Sequence, residues 1–469
     1  MTPKSPPRAN FVLGIILATY LMIILDVSVV ITALPNVRED LGFSDAALSW
    51  VQNAYALTFG GLLLLGARAG DLLGRRRVFV AGIALFTAAS MLGGLAQSPA
   101  WLLGARALQG VGAAIAAPST LALLTVSFPE GRERTRAVAY YSAVAGAGGS
   151  VGLVLGGMLT TWASWRWGLF INVPIGLALI WLAPRHLPET EPQEGRFDFA
   201  GAATSTLGMT ALVFGLVRAA DVSWGDPVAL VSFVAAAILL SLFIANERRA
   251  EHPITPLHLF SSRIRSGAYG ARMLAVGAMF GMFFFLTQFM QGAEGYSALA
   301  AGLAFLPMTL SLFATVQAIP RIASQIGDSR LLAGGLLLAL IGMTWLSRVS
   351  VGGDYFTQMA LPMVLLGIGM GSVFTPLTTA GISGVADRDA GAASGLVNTA
   401  HQLGGTLGIG ILISVFTASG NGGTSQLAEG VPAALTASAV LIALALAVVV
   451  TVMRPQGETV GVAEPEAAA

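Results

Sequence analysis

The sequence contains no cysteine, which excludes disulfides, thiolate metal sites and a cysteine nucleophile. Histidine is rare as well, since only four occur and no two have the spacing of a metal-binding pair. No glycine-rich nucleotide loop follows a predicted strand. We therefore predict no metal, no cofactor and no catalytic residue, and we expect that the protein is not an enzyme.

Charge is also scarce. Charged residues make up 10% of the 469 residues, whereas soluble globular proteins contain roughly 25%. Hydrophobic residues reach 55%, and the mean hydropathy is +0.76. The formal net charge is +1 without any basic run, so no nucleic-acid partner is expected. The composition indicates a multi-pass protein of the cell membrane whose main solvent is the lipid bilayer.

Apolar windows long enough to cross a bilayer recur along the whole chain. A transmembrane helix needs about 20 predominantly apolar residues. We predict fourteen such helices, over residues 11–33, 47–67, 78–97, 100–125, 136–161, 165–183, 199–219, 227–246, 267–290, 298–319, 329–348, 356–381, 391–417 and 433–453.

The basic residues predict the orientation, because cytoplasmic loops are enriched in Lys and Arg. With the N-terminus inside, Arg106 falls within a helix, and most of the other basic residues, Arg272 among them, fall on the cytoplasmic side. The outer segments contain only Arg38, Arg166, Arg218 and Arg348. Both termini are therefore predicted to be cytoplasmic.

Two internal echoes divide the chain into halves. The spacing R-x-x-D/S-x-x-G-x-x-R occurs over residues 68–77 and again over 321–330, and a glycine-rich pattern at 148–152 recurs at 404–408 with nearly the same offset. Parallel repeats of this kind characterise one class of transporter architecture. We predict three parts: an N-terminal six-helix bundle (1–183), linkers with two inserted helices (184–266), and a C-terminal six-helix bundle with a short cytoplasmic tail (267–469).

Four motifs are similar to those of a known family. They are Leu25–Val30 with Ala33–Pro35, Gly70–Arg77, Arg106–Gly112 and Trp165–Gly176. With them the sequence resembles the drug:proton antiporters of the major facilitator superfamily that have fourteen transmembrane segments. Two positions depart from the pattern, namely Ala67 at the small-residue position that opens the loop motif and Leu153 in the Gly-Pro of helix five.

The resemblance implies an all-α integral membrane protein with the major facilitator fold. Two six-helix bundles, with two inserted helices and both termini cytoplasmic, would rock about a central cavity in alternating access. The loop motif implies a cytoplasmic gate, formed by Gly70, Asp71, Gly74, Arg75 and Arg77. The alternative for its arginines is that they only fix the topology.

Asp26 is the only acidic side chain that we place well inside a helix. A carboxylate at that depth is costly unless it is paired, solvated or protonated, so we expect Asp26 to face the cavity and to couple transport to protons. Arg106 has the same predicted depth and is expected to stabilise the ionised carboxylate, directly or through water. The alternatives are a structural hydrogen-bonding role for Asp26 and a brace on backbone carbonyls for Arg106.

Small and polar residues within the apolar helices supply the remaining candidates. The glycines of helix five form a small-xxx-small groove, for which generic packing is the alternative to an antiport function; they are Gly148, Gly152, Gly156 and Gly157. His401 is a candidate second proton site, with an interhelical hydrogen bond as the alternative. The candidates for the substrate cavity are Gln52, Asn53, Tyr55, Tyr141, Gln288, Gln291, Asn398, His401 and Gln402.

The sequence as a whole predicts a proton-coupled multidrug or antibiotic efflux antiporter. With a single embedded acid, the expected substrates are lipophilic neutral or monocationic small molecules. The predicted partners are the substrate, protons and the lipid bilayer, and the protein is expected to be a monomer. A narrow-range metabolite exporter or a proton symporter on the same scaffold is the first alternative, and a non-transporting membrane sensor is the second.

Overall fold

The structure is a computed structural model that describes residues 7–128, 132–190, 198–250, 253, 255, 257–385, 390–419 and 423–453, without some helical side chains such as that of Asp71. Its helices are α1 Pro7–Leu41, α2 Asp45–Leu48, α3 Trp50–Leu73, α4 Arg75–Gly94, α5 Pro99–Ser127, α6 Arg132–Trp162, α7 Trp167–Phe170, α8 Asn172–His186, α9 Phe199–Asp221, α10 Pro227–Glu247, α11 Arg263–Gly292, α12 Ala298–Ala304, α13 Leu306–Ile326, α14 Asp328–Leu346, α15 Leu361–Ile382, α16 Ala390–Ala418 and α17 Gly423–Val452. A 3₁₀ turn, Leu257–Ser261, precedes α11, and a π-helical turn, Phe356–Ala360, leads into α15. The described ranges contain no strand.

The predicted helices coincide with these segments. Twelve helices within the described ranges are long and apolar enough to cross a membrane. The two other predicted spans, 47–67 and 136–161, correspond to α3 and α6. Fourteen crossings and cytoplasmic termini stay predictions. One predicted helix, 298–319, is divided at Phe305, because Pro307 begins the first turn of a new helix.

Glycines set the packing within each half. In the N-terminal half α6 lies against α1, and a Cβ on Gly152 would come within 2.5 Å of the Ser28 Cβ. In the C-terminal half α16 lies against α11, where a Cβ on Gly408 would come within 2.3 Å of the Gly277 Cα. The second sequence echo therefore marks the same helix contact in both halves. The first echo places Gly74 and Gly327 at turns with φ of 95° and 80°, which favour glycine.

The two halves meet near the predicted outer ends of their helices. Gly157 of α6 lies against the backbone of Ala298 at the start of α12. The Thr161 hydroxyl accepts a hydrogen bond from the Leu299 N–H at 3.1 Å, and the Gln291 amide of α11 donates to the Thr32 carbonyl of α1 at 2.9 Å. These contacts close the predicted outer side of the molecule.

The inserted helices α9 and α10 form a hairpin beside one seam between the halves. α9 packs against both α3 and α16, where Gly61 lies against Thr206 and the Ser414 hydroxyl reaches the Leu216 carbonyl. The loop before α10 is fixed by Asp226, which accepts a hydrogen bond from the Arg218 guanidinium at 3.1 Å. This contact lowers the pKa of the Asp226 carboxyl.

We expect Gly156→Ala to destabilise the protein, because its new Cβ would lie 2.6 Å from both the Thr32 Oγ1 and the Val29 Cα of α1. Overpacking of this kind typically costs ~1–3 kcal/mol. Gly149→Ala on the same helix is the matched control, since its nearest neighbour is the Ser28 Oγ at 3.9 Å. Thermal unfolding of both variants in detergent is the measurement, and equal melting temperatures would contradict the proposed contact.

Candidate proton-coupling site

Asp26 lies in the interior of the N-terminal half with only 1% of its surface exposed. One carboxylate oxygen, Oδ2, accepts a hydrogen bond from the Arg106 Nη1 at 2.5 Å. The other, Oδ1, accepts from the side-chain amides of Gln109 at 2.9 Å and Asn172 at 2.8 Å. All three neighbouring side chains donate hydrogen bonds to the Asp26 carboxyl group, which acts only as an acceptor here.

Arg106 is completely buried, and its contacts combine the two roles considered from the sequence. In addition to its bond with Asp26, Arg106 donates from Nε to the Val51 backbone carbonyl of α3 at 3.0 Å. It also donates from Nη1 to the side-chain oxygen Oε1 of Gln109 at 2.9 Å. Its guanidinium lies over the Tyr55 ring, 4.5 Å from the centroid. The arginine therefore pairs with the acid and braces a neighbouring helix at the same time.

Four helices build this network. Arg106 and Gln109 are three residues apart and share one face of α5. Asn172 begins α8, and the Ser90 hydroxyl of α4 accepts hydrogen bonds from the Gln109 amide at 2.7 Å and the Asn172 amide at 3.4 Å. Sequence reasoning missed these three polar residues, although Gln109 and Asn172 lie inside motifs that it identified. The sequence signal that could have found Gln109 is an amide side chain one helical turn after the arginine predicted inside a helix.

Asp26 is enclosed in this structure and does not line an open cavity, so its expected position facing the cavity stays a prediction. The carboxylate is enclosed because the side chains of Arg106, Gln109 and Asn172 occupy its accessible directions. Breaking a buried ion pair is expensive, since it leaves an uncompensated charge. A substrate cannot contact the carboxylate unless this network opens, whereas a proton needs far less space.

Three candidates for the substrate cavity are also buried in the N-terminal half. Gln52 and Tyr55 are 4% and 1% exposed, and Asn53 is fully buried. Tyr55 lies against Arg106, the Gln52 amide is 3.5 Å from the Val27 carbonyl, and neither amide atom of Asn53 has a hydrogen-bond partner in the described structure. All three side chains are buried instead of lining an open cavity, and Tyr55 contacts the ion pair directly.

The other candidates lie at the interface of the halves. Tyr141 stacks on Tyr20 with a centroid distance of 3.9 Å, and Gln402 of α16 lies against Gly60 of α3. Asn398 is exposed and has an interaction partner. Gln288 and Gln291 line a cavity of about 330 Å³ at the predicted outer seam, which also includes Arg38, Glu39 and Tyr296. This cavity is distinct from the Asp26 network.

His401 lies between Phe280 and Phe374, with both ring centroids 5.9 Å away. Its Nδ1 is buried without a hydrogen-bond partner among the described residues. The interhelical hydrogen bond considered as its alternative role is therefore not made by this atom. His401 instead contributes one face of an aromatic cluster between α11, α15 and α16.

The charge distribution assigned Arg272 to a cytoplasmic segment, but the structure places it within the apolar helix α11. α11 begins at Arg263, and nine residues of helix place Arg272 about 14 Å along it. Its Nη1 donates to the Thr378 Oγ1 at 2.9 Å, and its Nε is buried without a partner in the described part of the chain. Sequence reasoning counted Arg272 as cytoplasmic because Arg263 and Arg265 lie at the start of α11 and hide where the apolar helix begins.

The predicted cytoplasmic gate forms a compact turn against the linker that follows α8. The backbone N–H of Arg75 donates to the Thr190 hydroxyl at 3.0 Å, and that of Arg76 donates to the Glu189 carboxylate at 3.1 Å. Glu189 also lies 3.3 Å from the Arg76 Nε and 3.7 Å from the Arg77 Nε. Gly70 packs near Ser119 of α5, and the Asp71 side chain lies outside the described residues.

Comparison with known proteins identifies the family. The sequence profile described as Major Facilitator Superfamily matches residues 16–409. The chain belongs to the Major Facilitator Superfamily. It is therefore a multi-pass membrane protein with the major facilitator fold, and its similarity is to transporters.

Several curated members of the superfamily are similar along most of their length. The cephamycin export protein CmcT of Amycolatopsis lactamdurans is 40% identical, with 96% of this chain and 94% of that protein covered. The puromycin resistance protein pur8 of Streptomyces alboniger is 40% identical (88% and 82% covered), and the lincomycin resistance protein of Streptomyces lincolnensis is 35% identical (87% and 85% covered).

Solved superfamily structures share the fold at low identity. A bacterial homolog of the human lysosomal transporter Spinster, solved in an inward-facing and unoccupied conformation, has a TM-score of 0.66 at 18% identity, covering 95% of this chain and 97% of that one. The nucleoside transporter NupG has a TM-score of 0.65 at 12% identity, covering 95% and 100%.

A double-substitution cycle tests the ion pair. Arg106→Leu leaves a buried carboxylate without its cation and is expected to destabilise the protein by ~3–5 kcal/mol. The double variant Asp26→Asn/Arg106→Leu is expected to be more stable than Arg106→Leu alone, because the uncompensated charge is gone. The exposed Arg348→Leu is the control. Unfolding in detergent gives the free energies, and strictly additive effects would contradict the pairing.

Proposed function

We propose that this protein is a proton-coupled exporter of antibiotic-like or other drug-like small molecules and that it works as a monomer by alternating access. The buried Asp26–Arg106 pair carries the proposal, because an intramembrane carboxylate with a dedicated counter-charge is a typical proton site of transporters. The similarity to antibiotic export and resistance proteins supports this class of substrate.

Protonation of Asp26 is the proposed coupling step. The carboxylate accepts three hydrogen bonds, and a proton on it removes the negative charge that strengthens the bonds from Arg106, Gln109 and Asn172. Arg106 then keeps its contact with the Val51 carbonyl but loses its counter-charge. The positions of α1 and α5 relative to each other thereby depend on the proton, and this dependence would link protonation to the conformation.

We propose that α1 transmits this change to the interface of the halves. α1 carries Asp26, packs on α6 through the Gly148, Gly152 and Gly156 groove, and contacts α11 through Thr32 and Gln291. On α6, Gly157 follows directly and touches α12 of the other half. The helix-five glycines are thus proposed to hold the outer side closed. The proposed bundles, 1–183 and 267–469, would rock as units about this contact.

The cytoplasmic loop is proposed to act as the gate on the other side. Arg76 donates to the carbonyls of Pro184 and Leu187 at 3.3 Å, at the end of α8, and shares Glu189 with Arg77. These contacts connect the α3–α4 turn to the linker before the inserted helices. Loss of the turn would release α3, whose outer half contacts Arg106 through Val51.

Transport by the purified full-length protein in proteoliposomes tests the proposal. Wild type is expected to move puromycin or lincomycin against a concentration gradient when an opposing pH gradient is imposed. Asp26→Asn is expected to abolish this gradient-driven transport because the side chain no longer exchanges a proton. Glu429→Gln, at an exposed carboxylate on α17, is the matched control and should behave like wild type.

The same variants are to be compared by antibiotic susceptibility in an efflux-deficient host. Wild type and Glu429→Gln are expected to raise the inhibitory concentration of at least one lipophilic antibiotic, and Asp26→Asn is not. If Asp26→Asn retained full proton-driven efflux, the coupling role of this carboxylate would be refuted. Accumulation driven in the same direction as the protons would instead identify a symporter.

A further inference from the structure

Arg272 is a cation within an apolar helix, and no described residue gives it an anionic partner. It lies within the span formed by α11, and the described structure gives it no ion pair. Its hydrogen bonds go to the neutral oxygens of Thr378 and Phe374, at 2.9 and 3.5 Å. An arginine stays protonated in proteins, so its charge cannot be removed by loss of a proton.

The surrounding helices offer no acid that could neutralise it. α11, α15 and α16 contain neither Asp nor Glu over Arg263–Gly292, Leu361–Ile382 and Ala390–Ala418. Asp26, the acid buried in the N-terminal half, is held by Arg106. Within the described ranges of these three helices, Arg272 therefore has no acid to pair with. Ionisable groups at such depth generally pair or mark the path of a substrate or ion.

Arg272 lies on α11, which contacts α1 of the N-terminal half as well as α15 and α16. Tyr20 on α1 and His401 on α16 both lie within electrostatic range of its guanidinium. The arginine side chain is half-buried, so the group is not sealed in the way that Arg106 is. The cation thus lies where helices of both bundles meet, which is where a major facilitator transporter binds its cargo between repeats.

Aromatic rings lie near this cation, with Phe374 in contact with it and Tyr20 within electrostatic range. In the N-terminal half the rings of Tyr20 and Tyr141 stack at 3.9 Å with an interplanar angle of 9°. In the C-terminal half the Phe374 centroid lies 5.5 Å from the Arg272 guanidinium carbon, and Phe374 also contacts His401. Flat aromatic walls provide apolar contact area, and the guanidinium offers paired donors that suit a carboxylate.

We propose that Arg272 is the anion-binding subsite of the substrate cavity, where it binds a carboxylate or similar anionic group on an aromatic or otherwise lipophilic substrate. This inference rests on the proposed export function and adds a substrate class to it. Negatively charged and zwitterionic molecules fit the subsite, because Asp26 is enclosed in its own network and does not oppose them across the interface.

Binding of a matched probe pair to the full-length protein in phosphatidylcholine nanodiscs tests the subsite. Dansylglycine carries a carboxylate, and its methyl ester has the same ring without the charge. Wild type is expected to bind dansylglycine, and Arg272→Gln is expected to weaken this binding roughly tenfold or more, the usual effect of losing a charge-assisted hydrogen bond. Binding of the ester should change little.

Two further variants separate a binding role from a structural one. Arg272→Lys keeps the charge and is expected to retain most of the dansylglycine affinity, whereas Arg330→Gln removes an exposed charge at the start of α14 and should not alter it. Size-exclusion profiles check that each variant folds. Equal loss of acid and ester binding in Arg272→Gln, or no loss of either, would overturn the proposal.

A lipid headgroup offers the same anionic chemistry as a substrate. Replacing part of the phosphatidylcholine by phosphatidylglycerol leaves dansylglycine affinity unchanged if the subsite serves the substrate. If phosphatidylglycerol competes in wild type but not in Arg272→Gln, the site belongs to the bilayer and the substrate assignment is overturned.

The outcome is separable from that of the proposed function. Asp26→Asn is expected to keep dansylglycine binding while losing proton-driven transport. Only the subsite would be refuted if neutral drugs were exported by the proton gradient while wild type and Arg272→Gln bound dansylglycine equally well. Arg272-dependent binding without any proton-driven transport in the proteoliposomes would refute only the exporter.

Discussion

The pairing of two buried charges in a low-dielectric interior governs the N-terminal half of this molecule. Asp26 and Arg106 are stable in the N-terminal half because each completes the other and because Gln109, Asn172 and the Val51 carbonyl satisfy further hydrogen-bonding positions. The pair links α1, α3, α5 and α8 around one point. A change in its charge state would alter contacts between these helices at one place.

The C-terminal half follows the same helix arrangement with different chemistry. Where the N-terminal half buries an ion pair, the C-terminal half packs Met279, Met282, Met308, Met343 and Met370 against one another. Methionine side chains adapt to irregular gaps without a polar requirement. Repeat symmetry in this protein thus extends to the glycine contacts and turns, but not to the charges. The two halves are related in shape and unequal in electrostatics.

Sequence patterns were sufficient for the parts that depend on local or periodic signals. Apolar windows gave helix positions, and the two echoes located the Gly74 and Gly327 turns and the α6–α1 and α16–α11 contacts. The pairing of Asp26 with Arg106 followed from depth along each helix, since both lie at similar distances from predicted ends. Patterns with a fixed repeat translate directly into positions on a helix.

Orientation about each helix axis was harder to obtain. Gln52, Asn53 and Tyr55 are polar residues in an apolar helix, which is equally true of residues that line a cavity and of those that support a buried charge. Arg272 was assigned to a cytoplasmic segment because the segment from Arg263 is polar enough to hide the start of α11. Which neighbour a helix face meets is decided by tertiary packing, and one sequence contains no direct measure of it.

Because the hairpin of α9 and α10 lies beside only one seam between the halves, the lipid-facing sides of the transporter differ in the number of helices that cover the seam. α9 covers the line where α3 and α16 meet, and α10 presents Val231, Val234 and Ile238 outward from it. A hydrophobic molecule dissolved in the bilayer that approaches from this side meets two additional helices before it reaches the contact between the bundles. The contact of α6 with α12 and α13, which also joins the two halves, has no such additional helices described beside it.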